Sequence, residues 1–215
     1  MRLSISLLII LSLFLGGCQE LNDKHTTDPE NLDPEELPQV RAFEDEFTRG
    51  FLQSTVESKE GYYPFLSDTG NYEMNFPAGG VIGEKGYYVQ KGTEKYSIGI
   101  EYNKFNARIN IKYYQFMKNE YLESRLQTLE ESFGIPLQFQ EKKLDGRSLQ
   151  KAFYKDEDGY FGVVAMIQNI ENSGAIEVTT VSECSNNDTE CDQVIQDTKD
   201  VLYKWMESIK FIKKS

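Results

Sequence analysis

Tyr160-Phe-Gly-Val-Val-Ala-Met-Ile167 is apolar at every position but one glycine. Successive side chains of a strand point to opposite faces, so this run predicts a central strand covered on both sides. Its neighbours agree. Asp158-Gly159 is hairpin-turn chemistry and joins it to a strand over Leu149–Tyr154, while Ala175–Ser182 follows as another. The clearest half-buried strand lies earlier, in Arg108-Ile-Asn-Ile-Lys-Tyr-Tyr114. There Ile109, Ile111 and Tyr113 alternate with Arg108, Asn110 and Lys112, the period-two pattern of a one-sided strand. Tyr72–Phe76, Tyr87–Gln90, Tyr96–Tyr102, Leu137–Leu144 and Tyr160–Asn169 complete the predicted set.

Helical spacing occurs in three places. Val40, Phe43, Phe47 and Phe51 recur at three and four residues and predict a helix from near Pro38 to before Gly61. Leu122, Leu126, Leu129 and Phe133 predict a second, stopped by Gly134-Ile135-Pro136. Val194, Ile195, Val201, Leu202, Trp205 and Ile209 predict a third over about 191–208. Many strands with a few helices argue α+β: a mainly antiparallel β-sheet with helices packed on its faces. Abundant Tyr and Phe beside a single Trp suit a sheet-rich core.

This order resembles the PsbP-type α/β/α sandwich. The residues that carry the likeness are Tyr72-Glu-Met-Asn-Phe-Pro77, the Tyr160–Ile167 strand and the closing Trp205-Met-Glu-Ser-Ile-Lys-Phe211. It would cover roughly residues 38–212. The resemblance implies a fold used mostly for protein contacts, without a shared active site, and no functional residue carries over to a position here.

The N-terminus has a different character. Arg2 precedes an uncharged apolar run, and Leu15-Gly16-Gly17-Cys18 closes it. The run is shorter than the ~20 residues needed to cross ~30 Å of hydrocarbon, and a basic start with a small-residue end is signal-peptide design. Leu15–Cys18 resembles the lipobox of bacterial lipoprotein precursors, which implies cleavage after Gly17 and a diacylglyceryl group on Cys18. Two acyl chains suffice for stable attachment, at about 0.8 kcal/mol per buried CH₂. An ordinary secretory peptide and an uncleaved anchor are the alternatives. The expected organisation is therefore a signal peptide at 1–17, an acidic flexible tether at 18–37, and one α+β domain at 38–215. The expected location is the extracytoplasmic face of the cell membrane.

Charge narrows the partners. The chain carries −12 overall, and residues 19–60 alone hold twelve acids against four bases. Nucleic acid and anionic headgroups are repelled by such a segment. With Cys18 assigned to lipid, Cys184 and Cys191 remain, and the Ser-Asn-Asn-Asp-Thr between them is turn-forming. Export permits a disulfide between them, worth about 2.5 kcal/mol on the chain-entropy estimate. The spacing is not Cys-x-x-Cys, which argues against redox activity.

Catalytic constellations are thin. His25 is the sole histidine and falls in the expected tether, which removes the common Ser-His and Cys-His routes and histidine-based zinc sites. Gly79-Gly80-Val-Ile-Gly83-Glu-Lys-Gly86 lacks the following helix that a phosphate loop needs and reads as a hairpin loop. Asp156–Gly159 does not match calcium-loop spacing. No metal or cofactor is expected, and the protein is not expected to be an enzyme. Tyr62, Tyr63, Tyr88 and Tyr114, from three aromatic clusters, are the candidate binding residues, since a tyrosine suits a protein or glycan contact; cross-strand packing beneath helices is the competing explanation. The expected function is a non-catalytic envelope module for a protein partner, with a small-ligand or glycan binder and an envelope-polymer hydrolase as alternatives. A flat aromatic patch would favour the first, an apolar cavity with a few polar groups the second, and converging carboxylates the third.

Overall fold

The computed structural model describes residues 27–102, 105–184 and 191–213. Its strands are β1 (Tyr62–Leu66), β2 (Tyr72–Pro77), β3 (Gly80–Ile82), β4 (Tyr88–Gln90), β5 (Thr93–Tyr102), β6 (Phe105–Tyr114), β7 (Gln140–Leu144), β8 (Arg147–Lys155), β9 (Tyr160–Asn169), β10 (Ala175–Glu183) and β11 (Lys210–Phe211). The helices are α1 (Arg41–Glu44), α2 (Glu46–Arg49), α3 (Leu122–Phe133) and α4 (Cys191–Met206).

The large sheet runs β3-β5-β6-β10-β9-β8-β7, with β4 pairing beside β3 on β5, and its pairings are antiparallel. The apolar run of β9 sits inside it, between β10 and β8. Its alternate residues enter two separate cores. Val163, Ala165 and Ile167 join a large cluster with Leu202, Trp205 and Met206 of α4. Val164 and Met166 join a smaller one with Leu129 of α3, backed by Leu122, Leu126 and Phe133. The β6 alternation sends Ile109, Ile111 and Tyr113 to the α4 side.

Gly162 of β9 has a steric reason. A Cβ there would collide with the carbonyl of Thr180. That carbonyl is turned out of the ladder to accept from the Tyr154 hydroxyl at 2.8 Å, and the Thr180 hydroxyl takes the Val163 N–H at 2.7 Å in its place.

Three expectations need correction. The helix over 38–60 is two single turns, α1 and α2, separated by Asp45 in extended conformation (φ −83°, ψ 113°). The Asp45 carboxylate accepts from the Thr48 N–H at 2.8 Å and hydroxyl at 2.6 Å, a cap that competes with a continuing helix. The chain then straightens, and Leu52 pairs with Phe65.

Second, β1, β2 and β11 form a separate three-stranded antiparallel sheet. Phe65, Tyr72, Met74 and Phe76 from it share the large core with Tyr96 and Ile98 of β5. That side of the large sheet is therefore covered by strands as well as by a helix. Third, the described part of the expected flexible tether is docked. Thr55 N–H donates to Thr27 O at 2.7 Å, Pro29 is buried, and Leu37 belongs to the large core.

Candidate functional site: a groove beneath α4

Val194, Thr198, Val201, Leu202 and Trp205 of α4 share the helical face that meets the sheet. Two pins fix the C-terminal end of that face. Trp205 Nε1–H donates to Asn75 O at 2.9 Å, and Asn75 N–H donates to Ser208 Oγ at 3.2 Å. Toward the N-terminal end, the wall opposite is built of Gly61, Pro77, Ala78 and Gly79, which project little side chain. Helix and wall cannot meet there, and a groove of about 480 Å³ remains, floored by Ile100 of β5 and Ile109 of β6. That volume lies within the range of small-molecule sites.

Part of the wall's backbone is bonded within the protein. Ala78 N–H donates to Gly61 O at 2.9 Å, Ala78 O accepts from Ala42 N–H at 3.0 Å, and Gly79 O accepts from Arg41 at 3.3 Å. The polar and acidic residues of the lining are Tyr62, Thr198, Glu60 and Asp197. Both acids are exposed, and Asp197 accepts from Gln193 Nε2 at 2.7 Å.

The four candidate tyrosines do not form one surface. Tyr62 lines the groove, with Lys59 Nζ 5.6 Å from its ring centre. Tyr63 is core, 5 % exposed, its ring edge-on to Phe43 at 4.7 Å; burial and then Glu57 push its phenol up. Tyr88 is exposed on β4 beside exposed Val89. Tyr114 lies on the other side of the sheet, where Arg125 of α3 donates to its hydroxyl at 2.9 Å. Burial and Glu177 push that phenol up to about 12. Two of the four are thus spent on packing or on fixing a helix, and the remaining two are on different elements. A strand's neighbours point oppositely, so Tyr62 and Tyr63 could never have shared a face.

Cys184 and Cys191 are joined by a disulfide, with Cα atoms 6.0 Å apart, tying the end of β10 to the start of α4. Cys18, the expected signal peptide and His25 lie outside the described residues. Among the described residues, no group of three His, Cys, Asp or Glu is placed to hold a metal ion, and no helix is long and apolar enough to cross a membrane.

Two buried carboxylates lie away from the groove. Glu177 of β10 accepts from Lys112 Nζ and Arg125 Nε at 3.0 and 3.1 Å. Glu94 of β5 accepts from Asp68 N–H, Thr69 Oγ1 and Tyr87 OH at 3.3, 3.1 and 3.2 Å. They sit on opposite sides of the large sheet and cannot act as a catalytic pair.

Sequence reasoning misses the groove. The apolar face of α4 is legible, but it reads as core; only the pairing of that face with Gly61 and Pro77–Gly79, distant in sequence, opens a cavity.

An antiparallel α+β domain with a ligand-sized apolar groove is the class of protein these features define. The chain belongs to the family described as "Putative lipoprotein YvcA", whose profile matches residues 38–210. It is 28 % identical over 239 aligned positions to a Bacillus subtilis protein of that description, covering 96 % of this chain and 94 % of the relative. Among solved structures it is similar to the Saccharomyces cerevisiae Ran-binding protein Mog1p, with TM-score 0.49, 10 % identity, and coverage of 69 % of this chain and 94 % of that one. The structure of a Mog1 point mutant gives the same TM-score and identity, covering 71 % and 97 %.

Proposed function

We propose that this chain is a lipid-anchored protein of the cell envelope that acts by binding rather than by catalysis, with the groove beneath α4 as its binding site. The anchor reading rests on Leu15-Gly-Gly-Cys18 after an apolar run together with membership of a family described as lipoproteins. In it, residues 1–17 are removed, Cys18 carries the acyl chains, and the domain stands on the extracytoplasmic face as a layered α/β/α unit of PsbP type. The Cys184–Cys191 disulfide suits an exported domain.

The observation that carries the binding reading is the 480 Å³ apolar groove. It favours a ligand held in a cavity over a flat aromatic patch, because the four tyrosines are dispersed. The test is titration of the acyl-free domain with the neutral apolar dye Nile red. Saturable binding near one equivalent, lost when Val201→Phe fills the groove, supports the site; binding unchanged by Val201→Phe refutes it. Anchoring is tested separately by palmitate labelling, expected in the wild type and absent from Cys18→Ala.

A second reading has one observation in its favour. Tyr88, Val89 and Gln90 of β4 are all exposed, a short apolar edge that a protein partner could cover. A photocrosslinker at position 88 that captures one envelope protein stoichiometrically would favour it.

A further inference from the structure

We infer that the groove beneath α4 takes an apolar molecule bearing an ammonium group, and that Glu60 and Asp197 select its charge. This rests on the groove being the binding site. Among the described lining residues there is no lysine or arginine, and the charged groups are the carboxylates of Glu60 and Asp197. Three donors at or beside the lining are already committed. The Trp205 Nε1–H is held by Asn75 O, the Ala78 N–H by Gly61 O, and the Arg41 guanidinium lies behind Gly79 on its carbonyl and on Glu101 at 3.2 Å. An anionic head would meet two like charges and neither a lysine nor an arginine of the lining. An ammonium would meet two carboxylates, and beside them the rings of Tyr62 and Trp205, whose π faces attract cations. Tyr62 already has the Lys59 ammonium 5.6 Å from its ring centre. Lys59 and Lys204 line the adjoining depression, which shares Tyr62, Val201 and Trp205 with this groove, but neither lysine lines the groove itself.

The interior sets the rest of the ligand. Ile100, Ile109, Val201 and Leu202 present hydrocarbon, and each CH₂ of a chain that leaves water for them adds to affinity. An apolar body therefore supplies affinity, and the two rim carboxylates supply selectivity.

Trp205 is the chain's single tryptophan and lines the groove, so its emission reports on the site directly. The experiment titrates the folded domain with octyltrimethylammonium, octyl sulfate and 1-octanol, each below its micellar threshold. We expect a saturable change in Trp205 emission with the ammonium, about fivefold tighter than with octanol, and weakest with the sulfate. Glu60→Gln with Asp197→Asn should bring ammonium and octanol to parity. Glu123→Gln with Glu131→Gln, an equal charge change on α3 across the sheet, should leave the preference intact and so exclude a general effect of the acidic chain. Octanol binding with no ammonium preference overturns the inference and leaves the groove standing. No saturable response to any probe, with Val201→Phe and Ala78→Phe indistinguishable from wild type, overturns both.

Discussion

The two sides of the large sheet bury a carboxylate each, and they treat it in opposite ways. On the α3 side, Glu177 is 3 % exposed and forms ion pairs with Lys112 and Arg125. Burial alone would push its carboxyl up, but the hydrogen bonds and charges of Arg125 and Lys112 outweigh that and hold it below the ordinary range. On the α4 side, Glu94 is fully buried beneath an aromatic cluster. Its partners there are hydroxyls and one N–H. These lower its carboxyl less than burial and the nearby Asp68 raise it, so it ends above the ordinary range. The difference follows from what covers each side. A single helix can deliver an arginine to the sheet and let its stem snorkel from the edge. The three-stranded sheet opposite delivers rings: Phe65 stacks on Phe51 and on Phe76 at 5.6 Å, and the Tyr72 hydroxyl donates to Tyr96 at 3.0 Å.

If the α4 side is held by packing and the α3 side by charge, their responses to mutation should diverge. The largest effect is expected at Phe65. Phe65→Ala empties the centre of the aromatic cluster and should cost about 4 kcal/mol, with Leu129→Ala in the smaller α3 core nearer ~3 kcal/mol; urea denaturation of both variants measures the gap, and a larger loss at Leu129 would break the contrast. Next is Glu177→Gln. Removing one partner of a buried pair leaves cations uncompensated, but Lys112 and Arg125 are about a third exposed on their side chains, which softens the penalty to about 2–3 kcal/mol at pH 7. The penalty should be insensitive to packing changes at Phe65 and should fade in acid. A group whose folded pKa lies below its unfolded value contributes stability above the unfolded value, about 4.3. It loses that contribution as pH falls through the folded value, so the gap between wild type and Glu177→Gln should narrow as pH falls below about 4.3 and close below the folded value.

Much of this architecture is visible in the chain, and the exceptions have physical causes. The β9 run and the β6 alternation are legible because sheet burial imposes period two or continuous apolarity. The stop of α3 is legible because Gly134 alone takes the left-handed conformation at the helix end (φ 65°). The break at Asp45 is not, since Val40, Phe43, Phe47 and Phe51 keep helical spacing and all four do reach the large core. What overrides the spacing is a side-chain cap plus a tertiary bond, Ile82 N–H to the Thr48 hydroxyl at 2.8 Å. The small sheet is hidden for a related reason: β11 is two residues long, and β1, with Pro64 inside it, reads as an aromatic cluster. The groove is least legible of all, because it is defined by what Gly61, Ala78 and Gly79 fail to fill.

The smallest expected effect is the one that discriminates best. Glu94→Gln keeps the side chain's shape, and its amide can accept from Tyr87 and Asp68 while donating to the Thr69 hydroxyl, so at neutral pH the change in stability should be within about 1 kcal/mol. The sign of its pH dependence is the sharper observable. A carboxyl whose folded pKa lies above its unfolded value binds its proton more tightly in the native state. It therefore withdraws stability as pH rises from about 4.3 through the folded value. Wild type should gain on Glu94→Gln during acidification from neutral pH toward about 4.3, in the range where Glu177 is still ionised and contributes a constant amount. The two buried acids thus predict opposite slopes in adjacent pH windows, and denaturation midpoints at about pH 7, 5.5 and 3.5 separate them. Parallel curves for wild type and Glu94→Gln would mean that Glu94 has no raised pKa, and that the aromatic side of the sheet solvates its carboxylate as well as the cationic side does.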